Sequence, residues 1–387
     1  MTIKNPRGYN ANYHRVDLKK KVLNNIHFAL LRRLSIENII NTNNFNMFRI
    51  IAIPMIMCFV SLHGCAGQPE NRVRVMFYNV ENLFDCEDDP EHNDEDFTPG
   101  GNRRWDNHRY YEKLNHIYKV AVAVGEWQAP GIIGLCEIEN HEVLKDLIYN
   151  TPLKKAGYSI VHFDSPDRRG IDVAALYRKD FFTLIEAYPL RTAGRHGLSA
   201  EKRDILYFKL KSVDDDTLSL FINHWPSRYG GYMETTDDRI SFSMILREMV
   251  DSIFSVSPAA KIIIMGDFND EPDDESIKSL LSNPHIPDSS NGALMQWMNR
   301  DRSLWTGSIR HEGKWYLFDQ IIISDGLAYS SNGLKPEGMA GIFDADFLLE
   351  NDSEYPGKKP KRTYNGFRYN GGYSDHLPVW IELKREL

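Results

Sequence analysis

The chain has 387 residues, 42 % of them hydrophobic and 12 % aromatic, with 46 Lys+Arg against 54 Asp+Glu. That composition excludes an intrinsically disordered chain, a coiled coil and a polytopic membrane protein. The charge is uneven: residues 1–46 hold eight basic and two acidic residues, whereas the stretch after Cys65 holds 37 basic and 52 acidic ones, a formal −15. So acidic a body argues against gripping long nucleic acid by phosphate neutralisation alone, although a bound divalent cation can supply positive charge at a phosphate.

Taken in chain order, residues 1–46 read as an upstream extension, with Met47 as the start. Their basic and apolar mixture around Lys19–Ile40 would alternatively suit an amphipathic helix on an anionic membrane. The apolar run Ile50–Val60 is too short for a bilayer, which needs ~20 residues, but fits the core of a signal peptide over 47–65. Leu62-x-Gly64-Cys65 resembles the lipobox of bacterial lipoproteins, which implies lipidation of Cys65 and an exported protein anchored to a bacterial membrane, on its periplasmic face or at the cell surface. Four cysteines are too few for a disulfide framework, and export would allow Cys86 and Cys136 to be oxidised together.

From residue 66 to 387 no repeat or linker divides the chain, so one domain is expected. Arg72–Tyr78 alternates polar and apolar residues as a half-buried strand does. Residues 85–104, acidic and punctuated by Asp-Pro and Thr-Pro-Gly-Gly, read as a loop, and His108–Trp127 as an amphipathic helix. Apolar strands are expected at Ile132–Cys136, Val173–Tyr177, Leu206–Leu210, Leu218–Ile222, Lys261–Met265, Leu317–Ile323 and Leu377–Leu383, with a second helix over Asp237–Ser255 and a variable loop over 340–372. Mostly apolar strands separated by helices predict sheets covered by helices.

Polar residues collect where these strands end. Asn79 and Glu81 follow the first strand, Glu137 the second, His224 the Leu218 strand, Asp267 and Asn269 the Met265 strand, while Asp375 and His376 precede the last. Strand ends in a layered α/β fold are where distant side chains converge. Asp, Glu and Asn oxygens without clustered cysteines describe a site for Mg²⁺, Mn²⁺ or Ca²⁺. Each piece alone has a plainer reading as a turn or a cap.

Five segments, Tyr78-Asn-Val-Glu-Asn-Leu83, Gly134-Leu-Cys-Glu-Ile-Glu139, Asn223-His-Trp-Pro-Ser-Arg228, Met265-Gly-Asp-Phe-Asn269 and Ser374-Asp-His-Leu-Pro-Val379, together resemble the motif series of the endonuclease/exonuclease/phosphatase superfamily, the deoxyribonuclease I-like enzymes. The resemblance implies a four-layer α/β sandwich, two mixed β-sheets packed face to face with helices outside. It implies a Mg²⁺ site, with Mn²⁺ or Ca²⁺ as substitutes, at Glu137, Asn79 and Asp375, with Asp267 joining through water. Asp267 and Asn269 would orient the attacking water, His376 would contact the phosphate with Asp319 behind it, and His224 would serve the leaving group with Asp172 as its carboxylate. Arg228 is placed to reach a phosphate oxygen, with Arg169 and Arg203 as weaker candidates; Trp105 and Trp225 would stack on a base or be buried.

The leading expectation for function is an exported, monomeric phosphodiester hydrolase, most simply a nuclease, because Asn223-His224-x-x-Ser227 resembles a stretch of secreted bacterial nucleases. The alternative is a phosphatase or phosphodiesterase for small phosphorylated molecules or lipid headgroups, which the −15 body favours.

Overall fold

A computed structural model describes residues 72–126, 128–282, 292–298 and 307–386; the expected extension over 1–46, the signal segment over 47–65 and Cys65 lie outside the described residues. In chain order the elements are β1 (Arg72–Leu83), α1 (Asn107–Val124), β2 (Ile132–Ile138), α2 (His141–Tyr149), β3 (Tyr158–His162), β4 (Asp172–Arg178), β5 (Phe182–Leu190), β6 (Ile205–Ser212), β7 (Thr217–His224), α3 (Tyr232–Val256), β8 (Ile262–Asp267) and α4 (Glu275–Leu281). There follow β9 (Leu294–Gln296), β10 (Ile309–His311), β11 (Lys314–Tyr316), β12 (Asp319–Ser324), α5 (Asp325–Ala328), β13 (Gly333–Pro336), β14 (Gly341–Ile342), β15 (Leu349–Asn351), β16 (Lys358–Pro360), β17 (Tyr364–Asn365), β18 (Arg368–Tyr369) and β19 (Val379–Glu386).

Strand β1 shows how the layers arise. Val73, Val75 and Phe77 point to one face while Met76, Tyr78 and Val80 point to the other, and both sets are buried. A strand buried on both faces needs a layer above and a layer below it. One sheet runs β13-β19-β1-β2-β4-β3, with β14 also on β19, and the second runs β5-β6-β7-β8-β12-β9. Each is mixed: β1 lies parallel to β2, and β7 lies parallel to β8. A parallel pair needs a long crossover, which α1 and α3 supply.

Three apolar clusters separate the layers. One lies between the sheets, joining Phe77 and Val379 to Phe208, Ile222 and Met265. A second packs α1 and α2 on the first sheet, and the third packs α3 and α4 on the other. The expected four-layer sandwich is the observed fold. Gly134 marks how closely the sheets approach, since a Cβ there would meet Ile222 Cδ1 at 2.8 Å.

The structure adds β3 and β5, which the sequence reading passed over, and breaks the 340–372 loop into the short pairs β15/β16 and β17/β18. Trp105 and Trp225 are each 0 % exposed, so their rings serve packing. Cys86 and Cys136 are both free thiols.

One buried polar contact fixes the 361–376 segment on the sandwich. Lys113 of α1, 1 % exposed, donates to Thr363 Oγ1 (2.6 Å) and Tyr373 O (2.8 Å). Glu81, at the end of β1, accepts from Thr363 N (2.6 Å) and Arg362 Nε (3.1 Å). Burial lowers the Lys113 ammonium to about 8 and raises the Glu81 carboxyl to about 7; Lys113 and Arg362 both favour the Glu81 charge, while Glu81, Asp375 and Glu137 favour the Lys113 charge and Arg362 opposes it. Replacing Lys113 by Met would leave Glu81 under-compensated in the interior. A loss of ~3–5 kcal/mol in unfolding free energy is expected from urea denaturation; unchanged stability would show that Arg362 alone compensates Glu81.

Candidate functional site

The inter-sheet core turns polar where its strands end. In the second sheet, register sets His224 of β7 beside Asp267 of β8, and Asp267 beside Asp319 of β12. Each continues the inward-facing parity of its strand: His224 follows Leu220 and Ile222, Asp267 follows Ile263 and Met265, and Asp319 precedes Ile321 and Ile323. Asn79 likewise extends Val75 and Phe77 of β1. Gly266 permits the close pairing of β7 with β8, since a Cβ there would run into the carbonyl oxygen of Asn223.

Glu137 breaks the rule and is brought in by the backbone. By parity it belongs with Ile133 and Leu135 on the helix side, but the register shifts between Cys136 and Ile138 and Glu137 takes φ 61°. Such a bulge re-aims a side chain, and left-handed backbone at a non-glycine residue costs on the order of 1 kcal/mol or more. Glu81, Asn82 and Asn269 share this backbone region, with φ of 52°, 58° and 51°.

Asn79 joins the two sheets: its Nδ2 donates to Asp267 Oδ2 (3.1 Å) and lies 3.3 Å from Glu137 Oε1, while its Oδ1 accepts from Glu81 N (3.0 Å). Glu137 Oε2 accepts from Asn82 N (2.9 Å). His224 Nε2 faces both carboxylates, 3.7 Å from Asp267 Oδ2 and 3.9 Å from Glu137 Oε1. His376 Nδ1 stands 2.6 Å from Asp319 Oδ2, the expected pair, and its Nε2 is 3.7 Å from Asp267 Oδ2. Ser374 holds this turn in place, donating to Asn79 O (2.7 Å) and accepting from His376 N (3.0 Å). Asn269 N fixes Asp267 Oδ1 (3.0 Å), and Asn269 Nδ2 donates to Trp225 O (3.0 Å).

The two histidines carry opposite states. Burial would lower His376, but Asp319 and Asp267 outweigh it and hold the ring well above the usual imidazole range. Burial, then the charges of Arg203 and Arg169, keep His224 well below that range and therefore neutral. Burial also raises the Asp267 carboxyl to about 7, with Asp319 adding to the rise and His376 opposing it. Environments that push like groups apart assign different proton roles to them.

Asp267, Asp319 and His376 present ligand atoms within 4.8 Å of one another, and Glu137 reaches the same His224 and Asn79 as Asp267 does. Asp319 Oδ1 is buried without a hydrogen-bond partner among the described residues. Hard oxygen donors with uncompensated negative charge fit a divalent cation of the Mg²⁺, Mn²⁺ or Ca²⁺ type.

One expectation is corrected, and two further residues are engaged within the protein. Asp172 does not back His224: it accepts from His162 Nε2 (3.0 Å) and from Ser165 N (3.0 Å) and Oγ (2.6 Å). The reason is parity, since Val173 and Ala175 face the second sheet and Asp172 shares the helix side with Ala174. His224 Nδ1 has no hydrogen-bond partner among the described residues. Arg228 is turned to the Asn269 loop: its Nε donates to Asn269 O (2.7 Å) and its Nη2 to Asp270 Oδ1 (2.9 Å) and Asp274 Oδ2 (2.6 Å), clamping that loop. Asp375 is engaged by Arg362 Nη2 (2.8 Å), which also holds Glu81. The positive charges felt at His224 are those of Arg203 and Arg169, then of His376; no local motif marks the two arginines.

A comparison with curated proteins finds no match. Among solved structures, a humanized D. rerio TDP2 superposes with TM-score 0.51 at 13 % identity, covering 81 % of this chain and 100 % of that one. A Bacteroides thetaiotaomicron mannosyl-6-phosphatase gives TM-score 0.50 at 17 % identity, over 80 % of this chain and 99 % of that one. A Bacteroides thetaiotaomicron protein of the endonuclease/exonuclease/phosphatase family gives 0.50 at 16 % identity, over 82 % and 98 %. At such identities these likenesses speak for the fold. Residues 74–385 match the sequence profile of the Endonuclease/Exonuclease/phosphatase family, and the chain belongs to that family.

Proposed function

We propose that this chain hydrolyses phosphate esters with the help of a divalent cation, and that its substrates are small phosphorylated molecules. The observation that carries the hydrolase reading is the joined set Asn79, Glu137, Asp267, Asp319 and His376 at the sandwich mouth, with one histidine charged and the other neutral. Glu137 and Asp267 would hold the cation, steadied by Asn79. When bound, a hard cation there polarises the phosphate and offsets charge on the leaving oxygen. His376, kept charged and oriented by Asp319, offers Nε2–H to a phosphate oxygen as negative charge builds. Asp267 and Asn269, locked to each other at 3.0 Å, orient the attacking water, and neutral His224 turns Nε2 towards the Glu137 and Asp267 carboxylates.

The preference for a small substrate rests on the formal −15 of the body and on a cavity of about 470 Å³ that none of the centre's residues lines but whose wall includes Glu139, two residues past Glu137, with Asp85, Asp88, Asp94 and Asp164 beside Arg169. Carboxylates there would repel the backbone of a nucleic acid but hydrogen-bond to hydroxyl or amino groups of a small ester. The nuclease reading keeps its support in the Asn223-His224-x-x-Ser227 resemblance.

With Mg²⁺ or Mn²⁺, a panel of duplex and single-stranded DNA, RNA, bis-p-nitrophenyl phosphate, sugar phosphates and inositol phosphates separates the two. Small esters are expected to be cleaved, and Glu137→Gln or His376→Ala should lower turnover by ~10²–10⁴ with an unchanged circular dichroism spectrum. Cleavage of polymers only would return the nuclease reading, and full activity in both variants would remove the site assignment.

A second test uses protons. Because Asp267 sits near 7 when the site is empty, a proton competes with the cation below that pH, so Mg²⁺ affinity should be full above it. Affinity should fall by about tenfold per pH unit from 7 towards 5 in calorimetric titrations; a flat profile from pH 8 to 5.5 would contradict the ligand role of Asp267.

We also propose that the chain is exported and lipid-anchored through Cys65, on the strength of the Ile50–Val60 run and the Leu62-x-Gly64-Cys65 pattern. Cys65→Ser or globomycin should block maturation and release the protein from the membrane fraction; identical fractionation with and without Cys65 would reject the anchor.

A further inference from the structure

Resting on the hydrolase reading and narrowing its substrate, we propose that Arg203 and Arg169, held by Asp167, form a guanidinium bracket for the terminal phosphate of a phosphomonoester. Arg203 stands just before β6 with its side chain 11 % exposed, and its Nε lies 3.1 Å from Asp167 Oδ2. Its Nη1 is buried and has no hydrogen-bond partner among the described residues. A buried charged donor left unused is costly, and native proteins keep few of them without a reason. Asp167 is itself fixed, since its Oδ1 accepts from Arg169 N (2.9 Å) and its carbonyl accepts from Gly170 N (3.0 Å). The second guanidinium, with Arg169 Nε 3.9 Å from Asp167 Oδ1, shares that same carboxylate.

Two guanidiniums on one carboxylate leave a net positive charge, and strand register carries it to the centre: Leu206↔Ile222 sets the start of β6, just after Arg203, at the His224 end of β7, and Asp172↔Ile138 sets the start of β4, just after Arg169, at the Glu137 end of β2. Both charges reach His224, and Arg169 lines the carboxylate-walled cavity. His224 Nδ1 is a second buried polar atom without a partner among the described residues. Arg228 is a poorer choice, because its charge is already offset by two carboxylates and its Nε is taken by a carbonyl.

The chemistry selects a monoester over a diester. A terminal phosphate has three non-bridging oxygens and carries close to two negative charges above its second pKa of about 6. A diester has two such oxygens and one charge. After a cation and His376 have each taken an oxygen, only the monoester keeps a non-bridging oxygen for a planar guanidinium fork. The rest of such a substrate would lie in the acid-walled cavity, which suits a hydroxyl-rich or amine-bearing alcohol.

The test compares wild type, Arg203→Met, Arg203→Lys and Arg169→Met as full chains. Hydrolysis of p-nitrophenyl phosphate and of bis-p-nitrophenyl phosphate is followed with Mg²⁺, and inorganic phosphate binding is followed by calorimetry. Arg203→Met should weaken inorganic phosphate by about ten- to hundredfold and lower kcat/KM for the monoester to a similar degree, with a smaller loss on the diester. Arg203→Lys should restore part of both, and Arg169→Met should act in the same direction more weakly. Unchanged phosphate binding in Arg203→Met, or equal losses on both esters with phosphate binding intact, would overturn the bracket and leave Arg203 as a pin for the 163–170 loop. A wild type that cleaves neither ester would defeat the hydrolase reading instead, and phosphate calorimetry would still decide the arginines.

Discussion

A single side-chain amide, that of Asn79, spans the two sheets at the point where the apolar filling between them stops. It donates to Asp267 on the far sheet and faces Glu137 on its own, so the carboxylates on which the chemistry depends are held by a group neither can displace. The inter-sheet core is what makes such a bridge rigid. Val75, Phe77, Ile222, Met265 and Ile321 lock the strands behind it, and the polar residues are the last members of the same inward-facing rows. The site is therefore an edge of the core more than a pocket added to it, and its precision is inherited from strand register.

Burial at that edge sets the electrostatics. The Asp267 carboxyl is pushed towards neutrality, the His376 imidazole between Asp319 and Asp267 is pushed towards charge, and burial, with the charges of Arg203 and Arg169 adding to it, keeps His224 neutral. The overall acidity of the body matters little at this scale. What counts is that a few cationic groups, His376, Arg203 and Arg169, stand where the negative ones converge.

Much of this was legible in the sequence because period-2 patterning extends to the strand ends. The layering of sheets under helices and the inward direction of Asn79, Asp267, Asp319 and His224 follow from which residues continue an apolar row, whereas the Asp319–His376 pair is what the resemblance to the family implies. The misreadings fall where that logic does not apply. Asp172 lies one residue off the inward row, and nothing local distinguishes it from Val173 without knowing which face meets the second sheet. Glu137 was noticed by its motif, but only the left-handed backbone turns it inward. Arg228 looked available because its partners Asp270 and Asp274 are distant in sequence, and Arg203 ranked behind it as a phosphate candidate because its own partner comes from the 163–170 loop. Long-range ion pairs leave no periodic trace.

The placement of β19 has a temporal consequence. This strand, which ends the described chain, lies between β13 and β1 and pairs with β1 along Arg72↔Lys384 to Phe77↔Val379; the turn before it carries His376. Contacts of such sequence separation are among the slowest to form. During synthesis the first strand must wait, one edge unpaired, for almost everything else to be made. An unfinished or C-terminally clipped chain thus lacks both a partner for its opening strand and its charged histidine. Competence arrives all at once with β19 and the turn before it, not by degrees.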